Sequence, residues 1–132
     1  MEADVKENLR RPTDAELAIL RVLWRVGPAT VRQVQEEMNQ NQQTGYTTVL
    51  KMLQIMTEKG LVKRDETERT HVYEASLPEE ETQRQLVDDL LERAFGGSAR
   101  QLVLHALSAK TTSRTELAQI RELLDEFEGG AK

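Results

Sequence analysis

Between Tyr46 and Lys59 the apolar residues Val49, Met52, Leu53 and Met56 fall at i, i+3, i+4 and i+7, while Thr47, Lys51, Gln54 and Glu58 fall on the other side. That period predicts an amphipathic helix with one buried stripe. Gly60 stands where such a helix can stop. Beyond it, Leu61-Val62-Lys63 and Val72-Tyr73 bracket the polar stretch Asp65 to Thr70, which no core could bury. The chain over 61–75 is therefore expected to form a two-stranded hairpin with its tip in that stretch.

Elsewhere the helical period is announced by capping signals. Thr13 with Glu16, Thr30 with Gln33, Ser76 with Glu79, Ser98 with Gln101 and Ser113 with Glu116 have the spacing of a capping box, and each precedes an apolar helical pattern. The first helix, about 14 to 26, carries Leu17, Leu20, Leu23 and Trp24 and ends at Gly27-Pro28. The second, about 31 to 39, shows Val31, Val34 and Met38 on one face, and a polar turn ending in Thr44-Gly45 opens the third. Two helices joined by a short polar turn, the second running into a hairpin, make a helix-turn-helix with a wing.

From Ser76 onward three more helices are expected. Their stripes are Leu86, Val87, Leu90, Leu91 and Phe95, then Leu102, Val103, Ala106 and Leu107, then Leu117, Ile120, Leu124 and Phe127. About 55 residues of this kind do not close a core alone. A second copy of the same segment is the simplest partner, and an isologous dimer would bury Leu86, Val87, Leu90, Leu91, Phe95, Leu102, Val103, Leu107, Leu117, Ile120 and Leu124. The fold class is mainly α: a winged helix-turn-helix domain over 13–75 after a flexible tail of 1–12, then a three-helix dimerisation region over 76–128 and a flexible end at 129–132.

Charge changes this picture only in detail. The net charge of −5 argues against indiscriminate binding to a polyanion. Residues 1–77 carry 11 Lys+Arg against 12 Asp+Glu, a net of −1, whereas residues 78–132 carry 7 against 11, a net of −4. The acidity therefore sits mostly in the helical half, and DNA binding would rest on a few local cations. Cysteine is absent, which removes disulfides and sulfur-built zinc sites and suits a reducing cytoplasm. No apolar run reaches the roughly 18 to 20 residues of a membrane span, so no membrane insertion is expected.

Catalytic chemistry finds no support. His71 and His105 lie in different elements without HxxxH spacing, and the acidic runs Glu79-Glu80-Glu81, Asp88-Asp89 and Asp125-Glu126 sit at helix starts or on solvated faces. There is no nucleophile elbow, phosphate loop or dinucleotide fingerprint. No enzyme, metal or cofactor is expected. The polar face of the third helix remains, with Tyr46, Thr47, Thr48, Lys51 and Gln54 as candidates for base reading. Arg10, Arg11, Arg32, Lys63, Arg64 and Arg69 are candidates for phosphate contacts, although Asp65, Glu66 and Glu68 dilute the wing.

Several stretches together resemble the penicillinase repressors of the BlaI/MecI type. They are Thr13-x-x-Glu16 with Leu23-Trp24, Thr48-Val49 with Leu53, Glu58-Lys59-Gly60-Leu61-Val62, Tyr73, and Phe95-x-Gly97-Ser98, spanning Pro12 to Phe127. The resemblance implies a cytoplasmic homodimeric repressor that binds a double-stranded, pseudo-palindromic operator through the helix 46–59 and the wing 61–75. It also implies a sensor-linked protease as a partner in release. Members cleaved in this way carry an Asn-Phe pair where this chain has His105-Ala106, and their Trp-Ser opening of the recognition helix is replaced here by Thr44-Gly45. Two alternatives share the fold: a small-molecule-responsive regulator of the MarR or PadR kind, and a protein-interaction module that does not bind DNA.

Overall fold

Thr13 and Thr30 form the capping boxes that their spacing predicts. In the computed structural model, which describes residues 11–109 and 112–130, the Thr13 hydroxyl accepts the Glu16 N–H at 3.1 Å and the Glu16 carboxylate accepts the Thr13 N–H at 2.9 Å. This opens α1, Asp14–Val26. Thr30 and Gln33 repeat the arrangement at 3.2 and 2.8 Å and open α2, Val31–Met38. Each cap contributes on the order of 1 kcal/mol.

The third helix, α3, spans Tyr46–Lys59 and has Gly45 at its N-cap with no side-chain capping bond. Its end is fixed by Gly60, whose φ of 80° lies in the left-handed region. There the Leu61 N–H reaches the Met56 carbonyl at 2.9 Å and the Gly60 N–H reaches the Thr57 carbonyl at 3.1 Å. These are the two bonds of a Schellman motif, and any side chain at Gly60 would strain it.

That turn feeds β1, Val62–Asp65, which pairs antiparallel with β2, Val72–Ala75, in the register Val62↔Ala75, Lys63↔Glu74, Arg64↔Tyr73 and Asp65↔Val72. The hairpin was legible in the sequence; its third neighbour was not. Ala29, just past the Gly27-Pro28 break, exchanges two backbone bonds with Tyr73, at 2.8 and 2.9 Å, and so pins β2 to the α1–α2 connection. The core gathers around this junction: Ile19, Leu20, Val22 and Leu23 of α1, Val31 and Val34 of α2, Val49, Leu53 and Met56 of α3, with Val62 and Tyr73 from the wing.

Three further helices follow: α4, Glu79–Phe95; α5, Ala99–Ser108; and α6, Arg114–Gly130. Ser98 and Ser113 cap α5 and α6 by accepting the N–H of Gln101 and Glu116, at 3.2 and 3.0 Å. Ser76 does not cap α4, contrary to its spacing. The Pro78 carbonyl accepts the first helical bonds, from Glu81 and Thr82, while the Ser76 N–H goes to the Leu61 carbonyl at 2.9 Å. Proline suits a helix start and keeps the residue before it, Leu77, out of helical conformation, so the helix cannot begin earlier.

The chain divides into two compact units, one ending at Leu86 and the other beginning at Val87. In the second, no described side chain is buried, and Val87, Leu90, Val103, Leu104, Leu123, Leu124 and Phe127 are all substantially exposed, Phe127 to 75%. Phe95 and His105 stack at 5.7 Å between ring centroids. Arg10 and the rest of residues 1–10, most of the tail expected over 1–12, lie outside the described residues. No described helix is long and apolar enough to cross a membrane.

Candidate nucleic-acid interface

Burial of Val49, Leu53 and Met56 fixes the rotation of α3 about its axis, and the opposite face follows from it. Tyr46, Thr47, Thr48, Lys51 and Gln54 are all exposed. The N–H groups of Tyr46, Thr47 and Thr48 have no acceptor within the helix, since the first intrahelical bond runs from Val49 to the Gly45 carbonyl at 3.1 Å. Short hydroxyl side chains, an unsatisfied backbone end with partial positive charge and a cation at Lys51 thus share one surface. They can take phosphate oxygens and base edges together.

The approach to α3 is held by α2. The Thr44 N–H donates to Asn39 Oδ1 at 2.7 Å, and the Gln35 side-chain amide donates to the Thr44 carbonyl at 3.3 Å. The guanidinium of Arg32 lies over the Tyr46 ring, 5.9 Å from its centroid. This cation–π contact places a positive charge beside the exposed N-terminal end of α3. Lys51 and Arg32 have no carboxylate partner among the described residues.

The wing is less free. Arg64 pairs with Glu66, Lys63 stands across the ladder from Glu74, and Asp65 accepts the Thr67 N–H at 2.9 Å. The Thr67 backbone and hydroxyl bonds hold the Asp65 carboxyl below the usual aspartate range. This local turn is therefore intact above that range and weakens only as pH falls through the depressed value. Arg69 is exposed at the tip. Arg11 is half-buried and already engaged within the chain.

Two anchors of this surface carry no sequence signal. Glu16, read as a capping residue, also binds the Lys59 ammonium through both carboxylate oxygens at 2.9 Å, which ties the start of α1 to the end of α3 across 43 positions. The Trp24 indole N–H donates to the Leu77 carbonyl at 3.0 Å, which ties α1 to the segment before α4. His71 is exposed, whereas Tyr73, two residues on, is buried, and no ring contact joins the two among the described residues.

A family profile described as penicillinase repressor matches residues 12–126. The chain belongs to the penicillinase repressor family. It is 33% identical over 123 residues to the transcriptional regulator BlaI of Mycobacterium tuberculosis (strain ATCC 25618 / H37Rv), covering 92% of this chain and 88% of that protein. It is 23% identical over 120 residues to the penicillinase repressor of Bacillus licheniformis, covering 91% and 94%. The solved complex structure of hsRosR-S4 aligns over 96% of this chain and 99% of its own with a TM-score of 0.54 at 17% identity, a likeness of fold. As a penicillinase repressor family member the chain is a DNA-binding transcriptional regulator with a winged-helix fold, and it is not an enzyme.

Proposed function

We propose that the protein is a homodimeric repressor that reads a pseudo-palindromic operator with α3, using Tyr46, Thr47, Thr48, Lys51 and Gln54, with Arg32 and Arg69 on flanking phosphates. The observation that carries this reading is the two-faced α3. Three of its side chains are fully buried, so its polar face has one fixed presentation. The balance of the wing assigns it a minor electrostatic share, with Lys63 and Arg64 as local supports rather than principal contacts. In this reading residues 13–75 bind DNA and residues 76–128 dimerise.

Dimerisation is supported by the second unit, whose apolar side chains are left without cover. Covering a handful of leucines would contribute about 1.5 to 3 kcal/mol each when complete. Two-fold symmetry then places half-sites about one helical turn apart, roughly 10 bp, or a multiple of it. Leu90 is 46% exposed, so Leu90→Asp leaves the folded chain little disturbed but sets a charge into the subunit contact. Sedimentation is expected to show a shift from dimer to monomer; an unchanged dimer would remove Leu90 from the interface.

The test of the whole reading is a gel shift of the purified chain on the DNA upstream of its own coding sequence, since such repressors commonly regulate themselves. Lys51→Ala is expected to lower the salt slope of operator binding by about one contact, or to relax one operator position by about 1 to 3 kcal/mol. Retention of both affinity and salt dependence in that variant would move the reading face elsewhere.

A further inference from the structure

We infer that the groove beneath the C-terminal end of α3 is an effector site for a small amphiphilic cation. It has a volume of about 610 Å³ and lies within the first compact unit, between α3, the base of the hairpin and the first turns of α4. Its walls are Leu20, Ile55, Leu61 and Leu77, and two of these, Ile55 and Leu77, are more than a third exposed there. A volume of this size with apolar walls suits a small organic molecule.

Two polar features say what kind. Thr82 lines the groove and is only 6% exposed, yet its hydroxyl has no hydrogen-bond partner among the described residues. Among the described residues no fully buried side-chain oxygen is left unsatisfied, so that hydroxyl keeps accessible surface on a residue that lines the groove. It can donate to or accept from a molecule in the groove. The second feature is charge. The lining carries two charged residues, Glu58 and Lys59. Lys59 is neutralised by Glu16, with both carboxylate oxygens at 2.9 Å from its ammonium. Glu58 is exposed and has no ion-pair partner among the described residues. The groove therefore presents an apolar wall, one open hydroxyl and one uncompensated negative charge, which recognises an ammonium head on an apolar body and disfavours the matching carboxylate.

Occupancy also has a route to the DNA face. The ligand rests on Ile55 and Glu58 of α3 and on Leu77, the residue whose carbonyl the Trp24 indole holds. A molecule seated there bears on the recognition helix and on the segment leading to α4 at once. Binding to the groove does not depend on the operator reading, and its test uses the free protein.

The full chain, labelled with nitrogen-15, is titrated separately with 4-phenylbutylamine, 4-phenylbutanol and 4-phenylbutyrate while amide and indole N–H shifts are followed. Saturable shifts are expected around Ile55, Leu61, Leu77 and Thr82 and at the Trp24 indole. The amine should bind about fivefold more tightly than the carboxylate, the scale of attraction to and repulsion from one exposed charge. Glu58→Gln should bring the two within about twofold of each other, and Ile55→Lys should abolish amine binding while leaving the spectrum folded. Unsaturable or scattered shifts, equal binding of amine and carboxylate, or an unchanged preference in Glu58→Gln would each overturn the site.

Discussion

Tyr73→Ala is expected to cost about 3 to 5 kcal/mol, the loss typical of removing a buried aromatic side chain. Tyr73 is 1% exposed and is among the largest fully buried side chains, at the point where β2 meets both β1 and Ala29. Alanine keeps the two backbone bonds to Ala29, so the loss measures packing rather than hydrogen bonding. Against a total stability of roughly 5 to 15 kcal/mol, such a loss leaves a large part of the winged helix unfolded in mild denaturant. Val72→Ala, one residue earlier and half-buried, is the control. Urea denaturation at one fixed protein concentration should show the Tyr73 variant several times more destabilised; equal losses would show that the ring is not a keystone of the core.

Lys59→Met is the second large effect. Glu16 is 5% exposed, and the Lys59 ammonium is the cation that meets its carboxylate; methionine removes the cation and leaves a buried anion. The expected cost is about 2 to 3 kcal/mol, below the full penalty for an entirely buried pair because the Lys59 side chain keeps 23% exposure. Glu16→Gln should cost less. Its amide oxygen still accepts the Thr13 N–H, and the freed ammonium can turn to water. The order of the two losses, read from denaturation midpoints with the slope held constant, is the test. A larger loss for Glu16→Gln would mean that the carboxylate's value lies in the helix cap and not in the bridge to α3.

Both residues show where sequence reading ended. Glu16 was legible as half of a capping box because that contact spans three positions and has a fixed chemical pattern. Its bond to Lys59 spans 43 positions, and only the packing of α1 on α3 brings the two ends together. Ala29 is similar: a residue after Gly-Pro reads as a break, and becomes a strand partner only because Tyr73 arrives beside it. The capping signal at Ser76 misled because Pro78 two residues later controls where a helix can begin. In the candidate interface, exposure of the five α3 residues follows from periodicity, whereas the weak wing and the Arg32–Tyr46 contact depend on which side chains become neighbours.

The sequence by itself determined the helices, their caps at Thr13, Thr30, Ser98 and Ser113, the stop at Gly60 and the hairpin, because these rest on local bonds and on one-dimensional periodicity. It also determined which face of α3 is polar. Tertiary structure alone decided the Glu16–Lys59 bridge, the Ala29–Tyr73 pairing, the Trp24–Leu77 bond and the groove with its open Thr82 hydroxyl. Each of these joins residues far apart in the chain, and their meeting is fixed by how buried faces pack, not by any spacing along the backbone.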